Sequence, residues 1–370
     1  MKLSCTQENL HHGLNLVGRV VTPKITLPIL SNVLLSTDEG RLKLSVTDLE
    51  IGINIWIGAK IEKPGKITLP AKIFSEFVSS CNDKKIDLEQ TDFKIDLKSE
   101  KYSATLQGTA ADDFPLIPEI SEKPTCAISG KILEEAIPQV VSATAMDETR
   151  PVLSGVCFKF IKDKLKLVAT DSYRLAEKTI PLEKAVGKDY SVIVPLKAVS
   201  EIGRILGAVS SENVQVSVSE NQIRFAINED IEVISRLIEG NFPDYEQIIP
   251  TKYTAKVKIN FEDLQSALKI ASLFAKESAN NIKIKLKAPN QMIISARAEQ
   301  IGTSKASAAA EITGSDLEVS FNAKFILDGM SALKKGKINF DFSGNLSPAK
   351  LYLEDSKDYF YIIMPLRTEE

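Results

Sequence analysis

TLPAKIFSEF, residues 68–77, returns with changes as IVPLKAVSEI (193–202) and again as SFNAKFILDG (320–329). Each version has an apolar strand end, a breaker, a lysine and then the spacing of an amphipathic helix. The lysines are Lys72, Lys197 and Lys324, 125 and 127 residues apart. In a chain of 370 residues that period predicts three copies of one folding unit. Pro70 and Pro195 are expected in the first turn of their helices, where a missing N–H costs nothing. Behind them Ile73, Phe74, Phe77 and Val78 share a helical face. So do Leu196, Val199 and Leu206, and so do Ile326, Met330 and Leu333.

Other segments keep the same register. RLKLSVTDLE (41–50), KLKLVATDSY (164–173) and QMIISARAEQ (291–300) alternate like strands and run into polar ends. A second helical stripe per repeat is carried by Leu10, Leu14, Val17 and Val21, by Ile132, Ala136 and Val140, and by Leu264, Leu268 and Ala271. DDFPLIP (112–118) and NFPDYEQIIP (241–250) close the first two repeats. The expected domains are therefore 1–120, 121–250 and 251–370. Each is of α+β class, with a pair of helices packed on antiparallel sheets of about eight short strands.

The chain is 44% hydrophobic and 26% charged with a net charge of −3, which suits packed domains and excludes a simple basic nucleic-acid binder. No run approaches the roughly 18 apolar residues of a membrane helix. MKLSCTQENLHHG lacks the apolar core of a secretory signal, so a cytoplasmic protein is expected. Cys5, Cys81, Cys126 and Cys157 have no metal-site spacing and are expected as free buried thiols. Phosphate-loop, dinucleotide, GxSxG and HExxH patterns are absent. The only histidines, His11 and His12, would point about 100° apart on a helix and cannot share a metal. No cofactor and no metal is expected. LVATDSYRLAEK (167–178) crowds Thr170, Asp171, Ser172, Tyr173 and Arg174 together, which suits either a hydrolase or transferase site or a binding wall. Asp171 is suited to holding the turn, because aspartate readily bonds nearby backbone.

Several segments in order, TLPILSNVLL (26–35), VTDLE (46–50), LPAK (69–72), ADDFP (111–115), LVATDSYRLA (167–176), IVPLK (193–197), GNFPDYEQIIP (240–250) and YIIMPLR (361–367), resemble the bacterial DNA polymerase III beta subunits, the sliding clamps. The resemblance runs end to end. It implies a non-enzymatic processivity factor. Three DNA-clamp domains per chain would form a ring as a head-to-tail homodimer, and double-stranded DNA would be encircled without sequence specificity. The implied partners are the DNA polymerase III catalytic subunit, the clamp loader complex, and other polymerases and repair factors carrying a clamp-binding peptide. No membrane is involved. A peptide-binding scaffold of the same fold that forms no ring is the alternative.

The basic candidates to face DNA on the inner wall of such a ring are Lys24, Lys72, Arg150 and Lys197, with Lys324 as a further one; Lys24, Lys72 and Lys197 match basic positions of the family. By the same resemblance, Leu106 would meet Leu273 and Phe274 across the dimer joint. The partner groove would comprise Leu153, Thr170, Ser172, Tyr173, Arg174, Leu175, Pro243, Ile248, Met364, Pro365, Leu366 and Arg367. Its aliphatic members and methionine suit apolar anchors, while Thr170, Arg174 and backbone groups suit the polar part of a peptide. Three features depart from the family pattern. Asp147, Pro151 and Val152 stand where relatives carry glutamine and tyrosines, Ser172 replaces a common glycine, and Thr368-Glu369-Glu370 extends the usual end.

Overall fold

The computed structural model describes residues 1–21, 27–120, 122–147, 149–333 and 335–367. Lys24 and the Thr368-Glu369-Glu370 extension lie outside the described residues.

The first repeat runs β1 (Lys2–Thr6), α1 (Gln7–Val17), β2 (Asn32–Asp38), β3 (Arg41–Thr47), β4 (Ile51–Gly58), β5 (Lys60–Lys63), β6 (Lys66–Pro70), α2 (Ala71–Ser80), β7 (Lys85–Thr91), β8 (Lys94–Lys98) and β9 (Ser103–Gln107). The second runs β10 (Cys126–Ile128), α3 (Gly130–Val141), β11 (Gly155–Ile161), β12 (Lys164–Thr170), β13 (Arg174–Pro181), β14 (Tyr190–Pro195), α4 (Leu196–Ala208), β15 (Val214–Val218), β16 (Gln222–Ile227) and β17 (Ile231–Arg236). The third runs β18 (Ala255–Asn260), α5 (Phe261–Ala275), β19 (Asn281–Lys287), β20 (Gln291–Ala298), β21 (Gly302–Ala309), β22 (Glu311–Gly314), β23 (Leu317–Asn322), α6 (Ala323–Ser331), β24 (Lys337–Phe342), β25 (Ala349–Leu353) and β26 (Tyr359–Ile363). One order recurs: a strand, a helix, a set of strands, a second helix, three strands. β5 and β22 are the additions to it.

The chain divides into two compact units, Met1–Lys131 with Glu201–Leu237, and Ile132–Ser200 with Ile238–Glu370. The first holds a sheet ordered β5-β1-β7-β8-β9 and another ordered β10-β15-β16-β17-β4-β3-β2-β6. The second holds β14-β11-β12-β13-β26-β25-β24-β18-β22 and β21-β20-β19-β23. All named pairings are antiparallel. β4 of the first repeat pairs with β17 of the second, and β13 of the second pairs with β26 of the third. Each large sheet therefore passes from one repeat into the next without a break.

The strands form where apolar residues alternate. β19 buries Ile282, Ile284 and Leu286 and exposes the lysines between them. Capping opens α1 and α6: Thr6 Oγ1 accepts the Asn9 N–H at 3.2 Å, and Asn322 Oδ1 accepts the Lys324 N–H at 3.0 Å. The two prolines sit one step earlier than expected. Pro70 and Pro195 end β6 and β14, the outermost strands of their sheets, where a residue without an N–H leaves no ladder bond unmade. The helical stripes are narrower than the spacing indicates. α2 buries Phe74 and Val78 but leaves Ile73 exposed, and α3 turns to bury Leu133, Ala136, Ile137 and Val140, leaving Ile132 exposed.

Cys5, Cys81, Cys126 and Cys157 are free and buried. Burial pushes the thiols of Cys5, Cys126 and Cys157 up to about 12, so they stay protonated and unreactive at neutral pH. Among the described residues no helix is long and apolar enough to cross a membrane.

Candidate functional site

The Thr170–Leu175 segment is a tight turn between β12 and β13, and the side chains of Thr170 and Asp171 are committed to its backbone. Thr170 Oγ1 donates to the Arg174 carbonyl at 2.7 Å and accepts the Ser172 N–H at 3.1 Å. Asp171 Oδ1 accepts the N–H groups of Tyr173 and Arg174 at 2.9 and 3.0 Å. The turn forces Ser172 to φ +79°, a left-handed conformation that favours glycine. The first repeat builds the same turn. Thr47 Oγ1 donates to Ile51 O at 2.9 Å and accepts Leu49 N–H at 3.0 Å, Asp48 Oδ1 accepts Glu50 and Ile51 N–H at 3.0 and 2.9 Å, and Leu49 has φ +80°. Thr-Asp thus belongs to the repeated fold.

Arg174 is a pin rather than an open hand. Its Nε donates to Asp171 Oδ2 at 2.9 Å, its Nη1 to Asp328 Oδ2 at 2.5 Å and to Tyr361 Oη at 3.4 Å, and the guanidinium lies 4.4 Å from the centre of the Phe325 ring. One side chain thereby ties β13 to α6 and β26. Burial works against its charge, but Tyr361, Asp328 and Asp171 outweigh that and hold its pKa above the ordinary value. Thr170 and Arg174 thus have hydrogen-bond partners inside the turn and among its supports.

Backbone pairing brings the distant end of the chain to the turn. Arg174 lies opposite Ile363 in the β13–β26 ladder, and Met364 N–H donates to Tyr173 O at 2.8 Å. Leu366 N–H donates to Ser320 O at 2.8 Å. Met364, Pro365 and Leu366 are half-buried, and Arg367 is exposed. Tyr173 is 57% exposed and Ile248 45%, which leaves apolar surface uncovered around the turn. Pro243 is exposed as well, while Leu153, Thr170 and Leu175 are buried.

Beneath the turn, Leu175 packs with Cys157, Val168, Tyr245 and Ile362. Tyr245 anchors the 243–248 segment there: its hydroxyl donates to Glu177 Oε2 at 2.6 Å, and Lys166 sits 3.1 Å from the same carboxylate. Burial first, then Glu177, pushes the Tyr245 hydroxyl far above its ordinary value, so it remains a donor. Lys159 pairs with Glu246 at 2.7 Å. Arg150, expected at DNA, donates from Nη1 to Ser172 Oγ at 2.8 Å and so stands at the rim of the turn. Asp328, Phe325, Tyr361 and Glu177 support the site and were not anticipated. The signal for Tyr245 was present, since it lies inside NFPDYEQIIP.

The remaining candidates lie elsewhere. Lys72, Lys197 and Lys324 are each the second residue of α2, α4 and α6, and all are exposed. Leu106 lies half-buried on β9, which has a neighbour on one side only among the described residues. Leu273 on α5 is 60% exposed, and Phe274 beside it is half-buried.

Three family models match in succession: the N-terminal, central and C-terminal domains of the DNA polymerase III beta subunit, over residues 1–118, 127–244 and 246–367. The chain belongs to the DNA polymerase III beta subunit family. The beta sliding clamp of Staphylococcus epidermidis is 32% identical over 379 residues and that of Bacillus subtilis 31%, each alignment covering all of both chains. The crystal structure of the B. subtilis DNA polymerase sliding clamp superposes with a TM-score of 0.95 at 29% identity over the full length of both chains. The beta subunit of Pseudomonas aeruginosa gives 0.93 at 28% identity, covering 99% of this chain and all of the other. The repeats are three clamp domains of mixed α and β structure, and the chain is a DNA sliding clamp of DNA replication.

Proposed function

We propose that two copies close head to tail into a ring that encircles duplex DNA, and that the surface around Tyr173, Met364 and Leu366 is where partners dock. The observation that carries the docking surface is the β13–β26 junction. It sets exposed and half-buried apolar side chains from two repeats around a turn whose Thr170 and Asp171 side chains are bonded to its own backbone, so the anchors rest on a braced floor. An extended peptide with apolar anchors fits this surface. Its carriers would be the DNA polymerase III catalytic subunit, the clamp loader complex, other polymerases and repair factors. The twelve groove residues expected from the sequence are retained in this reading. Thr170, Arg174, Leu175 and Leu153 act in it as supports, and Arg150 joins the rim.

The joint is assigned to the free edge of β9, with Leu106, and to the α5 face carrying Leu273 and Phe274. Unpaired strand edges offer backbone donors and acceptors to a second chain, and covering an exposed leucine contributes about 1.5–3 kcal/mol. The DNA contacts are assigned to Lys72, Lys197 and Lys324, with Lys24 retained from the sequence reading. A lysine at the second position of a helix opposes the macrodipole and costs the fold up to about 1 kcal/mol. Its recurrence there in α2, α4 and α6 supports a role outside the fold, beside helix N-termini that also attract phosphate. Domain limits at 1–120, 121–250 and 251–370 follow the same reading. It also includes no chemistry of the chain's own, no cofactor, a cytoplasmic setting, and ring opening by a separate ATP-driven partner.

Replacing Met364 and Leu366 together by Ala tests the docking surface. Binding of a polymerase-derived clamp peptide should weaken at least about tenfold, a loss of about 1.4 kcal/mol, with the dimer unchanged in sedimentation. A dissociated dimer with unchanged peptide affinity would assign this surface to the joint instead.

A further inference from the structure

The repeat duplicates the groove's framework in the first compact unit. The Thr47–Ile51 turn has the bonds of the Thr170–Arg174 turn, and β17 pairs with β4 as β26 pairs with β13. The registers agree to the residue: Gly52 faces Ile234 as Leu175 faces Ile362. Arg236 N–H donates to Glu50 O at 2.9 Å, the counterpart of Met364 N–H on Tyr173 O at 2.8 Å. Arg236 therefore stands where the partner groove has Met364, and Glu50 where it has Tyr173.

The filling differs. Leu175 and Tyr245 occupy the space under the second turn. Their counterparts are Gly52 and Ile117, the latter placed by the match of DDFPLIP to NFPDY. Ile117 packs directly on Gly52, its Cγ2 only 2.7 Å from where a Cβ would stand. The smaller pair leaves a cavity of ≈ 80 Å³ bordered by Leu49, Ile51, Ile234 and Pro118. Since roughly 10–15 Å³ of such space holds one water, the end of an aliphatic side chain fits. Leu116 at the mouth is 94% exposed and Leu49 is 42% exposed. Among the described residues the guanidinium of Arg236 and the side-chain amide of Gln222, both lining this cavity, have no hydrogen-bond or ion-pair partner. Arg174 in the other unit, by contrast, is neutralised by Asp171 and Asp328.

We propose that this cleft is a second peptide site, taking an extended segment with an aliphatic side chain next to one carboxylate. The inference rests on the docking reading of the first groove, from which it takes its geometry. The aliphatic group enters between Leu49 and Ile117, and the carboxylate meets Arg236 with Gln222 as a second donor. Glu50 on the opposite rim repels a second acid, which fixes the direction of the peptide.

A fluorescein-labelled peptide, Gly-Leu-Asp-Leu-Gly with blocked ends, and its Asn analogue test this on the full-length protein. Anisotropy gives affinity, and hydrogen exchange gives location. The acidic peptide is expected to protect residues 47–52 and 116–118, and to bind the Met364→Ala/Leu366→Ala protein within about twofold of wild type. Affinity should drop at least about tenfold in Arg236→Ala, in Leu116→Asp and for the Asn peptide. Both substituted residues are exposed, so the fold is retained and unchanged melting confirms it. Absence of saturable binding at about 1 mM peptide, or binding insensitive to Arg236→Ala and lost in Met364→Ala/Leu366→Ala, overturns the second site. Failure of the first groove is distinct: polymerase peptides would then ignore Met364→Ala/Leu366→Ala.

Discussion

Asp171 shows how one side chain serves both backbone and site. Its carboxylate accepts two turn N–H groups and the Nε of Arg174. Asp171→Ala leaves those donors unmatched and Arg174 half-buried with one carboxylate fewer, and should cost about 2–4 kcal/mol in urea unfolding. Asp171→Asn keeps the Oδ1 acceptor and should cost less than half of that. Ser172, at φ +79°, shows the opposite balance. Glycine would relieve a left-handed residue of about 1 kcal/mol but lose the Arg150 hydrogen bond. Glu246 gives a pH signature. Its carboxyl is held below the ordinary 4.5, chiefly by the hydrogen bond from Lys159. A depressed folded-state value means that the folded chain releases this proton more readily than the unfolded one. The stabilisation is therefore whole above about pH 5 and fades as pH falls through the depressed value. The melting-temperature difference between wild type and Glu246→Gln should be constant from about pH 6 to 8 and shrink progressively as pH falls below 4.5. It should also be small, because the pair is largely exposed.

Among the elements, α6 braces the proposed groove, since Phe325 and Asp328 hold Arg174 while Gly329 lies against β26. A Cβ at Gly329 would come within 2.6 Å of the Tyr361 ring. Gly329→Ala gains up to about 1 kcal/mol of helix propensity but must push Tyr361 away from Arg174. It should destabilise by about 1–3 kcal/mol net and weaken peptide binding with it. A variant that melts higher than wild type with full peptide affinity would contradict this packing. The elements were largely legible in the sequence because their signals are local. The Lys72, Lys197 and Lys324 passages start α2, α4 and α6, and the Thr-Asp pairs make the same turn twice. Leu153, Thr170 and Leu175 are groove residues only in the proposed reading, and their burial could not be read from spacing. The grip of Asp328 on Arg174 spans 154 residues and depends on how α6 packs, which no local pattern encodes. Ile73 and Ile132 misled for the same reason, because tertiary packing sets how far each helix rotates within its stripe.

For the whole molecule, the net charge of −3 and the lysines at three helix starts suit the loose hold on DNA that the proposed ring requires. Few phosphate contacts mean weak affinity for open DNA ends and a shallow dependence on salt, since each neutralised phosphate contributes about −0.9 to the slope of log K against log salt. Retention would then come from closure of the ring rather than from contacts, and partners would be tethered because the ring cannot leave. The measurement that tests this most directly follows protein loaded onto a closed DNA circle, before and after the circle is cut once. Ring closure predicts stable retention on the intact circle in salt that abolishes simple binding, and rapid loss after the cut. Equal retention on the intact and the linearised DNA would contradict it.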